Sequence, residues 1–494
     1  MVKKSLPGFS TLEILIAFAI LTLSLTAVIS VFFGNQSVSL DTQTNAEALA
    51  KATTALEKER ALAQSSYLSA TSTSETEVSG TLTFTKTLSV ADLTPCKKIA
   101  TSTITWDTAT LRPQKIELTT FFTDIAGTLA LGGDCFIGGP SSAWDNPQRF
   151  ASDTFSPGKP LALDVLKRVA YVASDKSPFL KIAQTIGATL GQTSGLFVSY
   201  TNSFDLGVQA NDLDAIQYTN PSTGAKKIYV FLAINSSTNQ LKVVDATIPT
   251  APVVVATVSL SSCVGGSFPQ GWFVRVYGNR LYLTTRETAG PELHIFDITT
   301  PSSPAELSVG SSACKGYELT DTVEQMSVRE QVVGGTTKRL LYLATDENNR
   351  ELRVLDVTNS LAITEQVDLD LAGTTDAASL YLVGNKLYFG RLSGAGADLF
   401  IYDVSNPVGT LPLLGSKDIG ADVLGIRVAG SYAFIATGKT NQEFQVWNVS
   451  NPASITSTTI YNFGNVVGSG IDYEPDFIYA TGQSTPNFQI LYSP

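Results

Sequence analysis

The carboxylates of this chain fall into three patterns. The first is a series in which Asp245, Asp297, Asp356, Asp403 and Asn448 each close a short aliphatic run, as in "LKVVDATIPT", "LHIFDITTP", "LRVLDVTNS", "LFIYDVSNP" and "FQVWNVSNP". A recurrent aspartate at a strand end suits metal ligation, but it suits an Asx turn equally well, its side chain accepting from nearby backbone N–H groups. Each one precedes a turn rich in Thr, Ser, Asn or Pro, and Asn448 carries no carboxylate, so the turn role is expected. The second pattern is "DLDLAGTTD", where Asp368, Asp370 and Asp376 lie close together without the spacing of a known calcium loop. The third is one residue, Glu13, near the start of the apolar run "FSTLEILIAFAILTLSLTAVISVFF". A carboxylate there is unfavourable unless a cation pairs with it.

Little else looks reactive. The single histidine, His294, sits inside "LHIFD", where a packed role is expected. No Ser–His pair, GxSxG elbow, P-loop or HExxH run occurs. An aspartate-only hydrolase stays open, because paired carboxylates emerge only in the fold. The four cysteines, Cys96, Cys135, Cys263 and Cys314, are too widely spaced for a zinc cluster. A formal charge of −11 argues against a nucleic-acid partner. The expectation is a binding or structural protein, not an enzyme, with no cofactor and no metal.

The elements that hold these residues are one long helix and many strands. Charged residues are only 16 % of the 494, and after the first 65 positions the composition favours strands and turns. Ile14 to Phe33 is an uncharged run of twenty, about 30 Å as a helix and enough to cross a bilayer. The helical pattern continues through "LDTQTNAEALAKATTALEKERALAQ", with Leu49, Thr53, Leu56, Arg60 and Ala63 on one face. Residues 9–64 are thus read as one helix, spanning a membrane at 14–33. Three alternating runs at 80–90, 98–106 and 114–122 predict an antiparallel meander within a small domain, 65–139. Cys96 and Cys135 flank it and are expected to pair. "GGDCFIGGPSSAWDNPQ" reads as a linker, continuing to about residue 160.

From 161 to 494 the chain repeats. Aligned at the end of the aliphatic run, the marks are Gln184, Asp245, Asp297, Asp356, Asp403, Asn448 and Tyr492. Their spacing and strand–turn–strand rhythm predict a seven-bladed β-propeller; a linear solenoid is the alternative. The seventh copy stops after its third strand, so a segment before residue 161, within 148–155, is expected to supply the outer strand. Cys263 and Cys314 fall in the same inter-blade loop of consecutive blades and are expected to staple them.

The first 33 residues resemble the N-terminus of type IV pilins and pseudopilins, through the basic leader ending in Gly8, then Phe9, Thr11-Leu12-Glu13 and the apolar run. That resemblance implies cleavage by prepilin peptidase between Gly8 and Phe9, N-methylation of Phe9, and pairing of Glu13 with the amino terminus of a neighbouring subunit. An ordinary signal peptide would instead show a small-residue cleavage site after the apolar run. "ITWDTATLRPQKIELTTFF" looks like the strands of smaller pseudopilins and PilV-like minor pilins, and the later repeat resembles LVIVD-repeat propellers of bacterial surface proteins. Many major pilins carry a proline near the middle of the run, where this chain has Ser30, which leans towards a minor subunit. The fold class expected is mainly β: a long N-terminal helix with a pilin-type α+β domain, then a seven-bladed propeller.

The partners implied are other pilin subunits, prepilin peptidase, the inner membrane before assembly, and an unknown surface glycan or protein ligand. Localisation would pass from the cytoplasmic membrane to an extracellular pilus-like filament or the cell surface. A propeller is several times wider than the roughly 10 Å spacing of shaft helices, so a tip or sparsely placed subunit is favoured. The alternatives are a pseudopilin of a type II secretion-like system with a cargo-binding propeller and, third, a tethered propeller enzyme.

Overall fold

A computed structural model describes residues 11–65, 70–80, 82–94, 97–107, 113–123, 144–154, 156–260, 270–286, 290–310, 315–462, 468–474, 477–483 and 485–494, with backbone alone at 11–15, 17, 31–41, 64, 65, 92–94, 97, 468 and 469. The chain divides into two units, Met1–Ala91 with Lys98–Phe122, and Asp92–Lys97 with Thr123–Pro494. Gly8, Phe9, the side chain of Glu13 and all four cysteines lie outside the described residues, so the processing site, the assembly carboxylate and both expected disulfides rest on sequence alone.

In the first unit, helix α1 runs from Thr11 to Ser65. Four strands follow, β1 (Thr73–Ser79), β2 (Leu82–Thr94), β3 (Lys97–Asp107) and β4 (Pro113–Thr123), in the order of a meander. The helix face agrees with the expected one at Leu56 and Ala63 and differs towards the N-terminal side. Leu49 is exposed, and the stripe against the sheet is Ala48, Ala52, Ala55 and Leu56. Ala48 and Ala52 sit under Phe84, Ile104 and Trp106, because alanines let the helix approach where bulkier side chains would hold it off. Buried Glu59 accepts from Thr71 N at 2.8 Å, pinning the chain as it leaves the helix.

Among the described residues no helix is long and apolar enough to cross a membrane. The continuous run of described side chains in the apolar half, Phe18 to Ser30, gives only about 20 Å of helix. The expected span of 14–33 extends beyond it on both sides.

The second unit is a β-propeller of seven sheets. Strand β5 (Gln148–Asp153) comes first and is used last. Blade I holds β6 (Pro160–Leu166), β7 (Val169–Ser174) and β8 (Leu180–Gln184). Blade II holds β9 (Ala210–Thr219), β10 (Lys226–Ile234), β11 (Leu241–Asp245) and β12 (Val253–Val258). Blade III holds β13 (Gly271–Tyr277), β14 (Arg280–Thr285), β15 (Leu293–Asp297) and β16 (Ala305–Glu306). Blade IV holds β17 (Val323–Val333), β18 (Thr336–Thr345), β19 (Leu352–Asp356) and β20 (Thr364–Leu369). Blade V holds β21 (Ala377–Val383), β22 (Lys386–Arg391), β23 (Leu399–Asp403) and β24 (Leu413–Lys417). Blade VI holds β25 (Val423–Ala429), β26 (Tyr432–Thr437), β27 (Phe444–Asn448) and β28 (Thr456–Tyr461). Blade VII holds β29 (Gly468–Glu474), β30 (Phe477–Gly482) and β31 (Phe488–Tyr492).

The inner strands touch in the cyclic order β6, β9, β13, β17, β21, β25, β29 and back to β6, so the ring is closed. Each pair of successive blades shares one apolar core; blades VII and I share Tyr479, Phe488 and Ile490 with Leu163, Val165 and Val172. β5 pairs antiparallel with β31 and becomes the outer strand of blade VII, covering an edge that would otherwise template other chains. Blade I has only three long strands, but Val198 N donates to Ile182 O and Gln184 N to Leu196 O, both at 2.9 Å, so 196–198 does the work of a fourth. Trp144, within the stretch read as linker, is fully buried between blades VI and VII, edge-on to Phe434 at 4.8 Å. The propeller unit therefore begins before residue 161.

Candidate functional site

All seven marks of the repeat end the third strand of their blade. Asp245, Asp297, Asp356 and Asp403 and the amide of Asn448 accept, through Oδ1, from the backbone N–H of Thr247, Thr299, Thr358, Ser405 and Ser450, at 2.8–3.1 Å. Lys227 and Lys338 pair with Asp245 and Asp356 at 2.7 and 3.1 Å, and Arg280 pairs with Asp297. These hydrogen bonds and cations hold the carboxyls below the usual range despite partial burial at Asp245 and Asp356. Their geometry is that of Asx turns. Asp368 is taken up by Arg350 at 3.2 Å, and among the described residues no three His, Cys, Asp or Glu side chains are grouped to hold a metal ion. His294 is fully buried and fastened by Glu306 Oε1 at 2.7 Å, Lys315 O at 2.8 Å and Pro291 O at 2.9 Å.

A second repeated polar position escaped the sequence reading. The residue just before the third strand is Gln240, Glu292, Glu351, Asp398 or Glu443 in blades II to VI, and each is 0 % exposed. Gln240, Glu292, Glu351 and Asp398 receive the backbone N–H of Leu260, Leu319, Leu371 and Ile419 at 2.7–3.2 Å, fastening the segment that leads to the next blade. Burial raises the carboxyls of Glu351 and Asp398. The signal available was an acid or amide before an aliphatic run, five residues ahead of the better-marked Asx position.

At mid-height the inner strands contribute one register-equivalent residue each. Asp164, Asp214, Arg275, Ser327, Tyr381, Arg427 and Asp472 stand opposite Tyr171, Phe231, Tyr282, Tyr342, Tyr388, Phe434 and Tyr479. The acids reach forward to the next blade. Val165 N donates to Asp472 Oδ2 at 2.8 Å, Ala215 N to Asp164 Oδ2 at 2.7 Å, and Val276 N to Asp214 Oδ2 at 2.6 Å. Arg427 Nε donates to Asp472 Oδ1 at 2.8 Å, and Arg275 Nη1 to Asp212 Oδ2 at 3.0 Å. Burial, reinforced by Asp214 and Asp472, pushes the Asp164 carboxyl well above its ordinary range. Burial pushes Asp214 up to about 6 against the opposing pull of Arg275. This network stitches blade VI through blade III, across the point where the ring closes.

The channel mouth differs. Every inner strand carries a β-bulge at the same height, and the bulged residues are Leu161, Asn211, Trp272, Glu324, Ala378, Leu424 and Ser469. Bulges re-aim side chains and recur beside functional sites. Beyond the bulge, Asp175, Asn235, Arg286, Asp346, Leu392 and Gly438 donate their N–H to the carbonyls of Lys159, Gln209, Gln270, Thr322, Asp376 and Asp422 at 2.9–3.2 Å, fixing the rim. In blades III and IV the Arg286 guanidinium lies over the Trp272 ring at 4.0 Å, and Trp272 hydrogen-bonds Glu324. Burial first, then Asp346 and Asp376, push the Glu324 carboxyl up to about 7, with Arg286 opposing. Such a group both donates and accepts near neutral pH. Gly271 precedes Trp272 because a Cβ there would lie 2.2 Å from Gln240 O.

Residues 420–463, a span that contains the four strands of blade VI, match the family model described as LVIVD repeat. No curated protein matches the chain. Among solved structures the chain is similar to the computationally designed Ika8 protein, at 9 % identity and a TM-score of 0.43, covering 70 % of this chain and 100 % of that one. It is similar to the beta-propeller domain of Cps50 (Swd1) from Myceliophteria thermophila, at 13 % identity and 0.41, covering 69 % and 99 %. It is also similar to the quinohemoprotein alcohol dehydrogenase ADHIIG from Pseudomonas putida HK5, at 9 % identity and 0.39, covering 70 % and 75 %. Likeness at this level says nothing about function.

Proposed function

We propose that this chain is a minor pilin or pseudopilin that presents its β-propeller at the tip of, or sparsely along, a type IV pilus-like filament, for adhesion or ligand binding. The observation that carries the reading is the division of α1. Its C-terminal half is covered by the meander, whereas Phe18, Ile20, Leu21, Leu23, Leu25 and Val28 are 57–72 % exposed. That much apolar surface on one helix needs a cover. Lipid supplies it before assembly, and the helices of neighbouring subunits supply it afterwards. Glu13, near the start of the same helix, then pairs with a neighbour's amino terminus, which sets the register.

The propeller is the binding head, and its channel mouth is the binding site. Binding is favoured over catalysis because the mid-channel acids are already engaged by backbone N–H groups and arginines. Cleavage is tested by intact-mass and peptide mass spectrometry of the protein from the filament fraction. A mature chain beginning at Phe9 with one added methyl group agrees with the reading. A chain that keeps residues 1–8, or one cut after the apolar run, contradicts it.

A further inference from the structure

The mouth of the channel holds side chains that neither ring closure nor the mid-channel network uses. Trp272 and Glu324 occupy the bulge position of adjacent blades, with Arg286 and Asp346 at the rim beside them. Asn211 in blade II is held ready by two bonds, donating to Gly271 O at 2.8 Å and accepting from Gln209 at 3.0 Å. Gln270 completes the sector, and all of these except exposed Arg286 are partly buried, as in a wetted funnel.

Three features narrow the ligand. Arg286 covers one face of the Trp272 indole at 4.0 Å, so stacking by a C–H face uses the opposite face of the partly exposed ring. Planar amides and carboxylates around it present paired donors and acceptors, the complement of neighbouring hydroxyl groups. Arg286 is engaged over the indole and faces Glu324, so this sector is not built to receive a phosphate or another polyanion. We infer that the mouth between blades II and IV binds a saccharide, stacked on Trp272 and hydrogen-bonded by Asn211, Gln270, Glu324 and Asp346. The inference rests on the reading of the propeller as a binding head.

Trp272 is also the built-in reporter. The other three tryptophans, Trp106, Trp144 and Trp447, are 4, 0 and 6 % exposed, so a ligand on the mouth changes chiefly the Trp272 emission. The full chain in detergent micelles is titrated with cellohexaose, mannohexaose and the hexamer of N-acetylglucosamine, by fluorescence and calorimetry. At least one sugar is expected to shift the emission to shorter wavelength along a saturating curve. Trp272→Ala abolishes the shift and weakens the calorimetric affinity about tenfold or more, a usual outcome for a central aromatic contact. Glu324→Gln keeps the shift but weakens binding. No response to any of the three sugars, or affinity unchanged in both variants, overturns the assignment.

Beads coated with the full chain and applied to mucin and biofilm surfaces separate the two levels of the claim. Attachment abolished by periodate, which cleaves vicinal diols, supports the saccharide. Attachment that survives periodate overturns the saccharide and leaves the binding head standing. No attachment to any surface overturns both.

Discussion

The end of strand three and the bulge of strand one both recur around the ring, yet they carry opposite kinds of residue. At the strand-three end the identity repeats: Asp245, Asp297, Asp356, Asp403 and Asn448 all make one turn through one oxygen. At the bulge the backbone repeats while the identity does not, running from Leu161 and Ala378 to Trp272 and Glu324. A turn that needs a side-chain acceptor admits few residue types. A bulge is a backbone device that leaves its side chain unconstrained by the fold, so that side chain is available for recognition. Repeated polar residues here build the ring, and unrepeated ones at a repeated place are those on which the proposed binding site draws.

Substitutions break or sharpen that division. The largest effect belongs to the closure: Trp144→Ala empties a fully buried site between blades VI and VII and is expected to lower propeller stability by about 3–5 kcal/mol in denaturant titration. Glu292→Ala leaves the buried N–H of Leu319 and the part-buried N–H of Thr320 without the Glu292 acceptor and should lower stability by about 1–3 kcal/mol. Neither variant should alter binding at conditions where it stays folded. If either abolishes binding while folded, the separation of roles is wrong.

Smaller effects come from titration and from the turns. Asp164 and Asp214 bind a proton more tightly folded than unfolded, so their contribution is fully present at low pH and is lost as pH rises through their folded values, about 6 for Asp214. The melting temperature is therefore expected to rise as pH falls from about 7.5 to 5.5, and Asp214→Asn should flatten that slope while keeping an acceptor for Val276 N. Below about pH 4 the lowered carboxyls of Asp245, Asp297, Asp356 and Asp403 act in the opposite sense. Asp356→Ala removes one turn and should lower stability by roughly 1 kcal/mol. Trp272→Ala removes a partly buried ring and its Arg286 contact and is expected to cost about 1 kcal/mol of stability, while its effect on ligand affinity is the greatest.

How far the sequence led follows from the same distinction. Five of the seven marks were legible because an Asx turn constrains identity, and Gln184 and Tyr492 by their place in the repeat; the strand at 148–153 was legible because the last repeat lacked an outer partner. β1, "TSETEVS", was missed because its side chains are almost all exposed and show no alternation to read. The helix face was legible at Leu56 and Ala63 but not further back, because Ala48 and Ala52, small enough for close approach, make a weaker pattern than Leu49. Trp144 was hidden in a stretch rich in Gly, Pro and Ser. The bulge positions could not be found from composition at all, since their recurrence is a property of backbone register.

The most direct test of the central claim, a propeller head carried on a filament, is immunogold electron microscopy with antibody against residues 161–494, on intact cells and on sheared filaments. Gold at filament ends or at sparse points along them is the result expected of a minor pilin. Protein retained in the envelope, with no external filament labelled, would contradict it and favour the short filament of a secretion system.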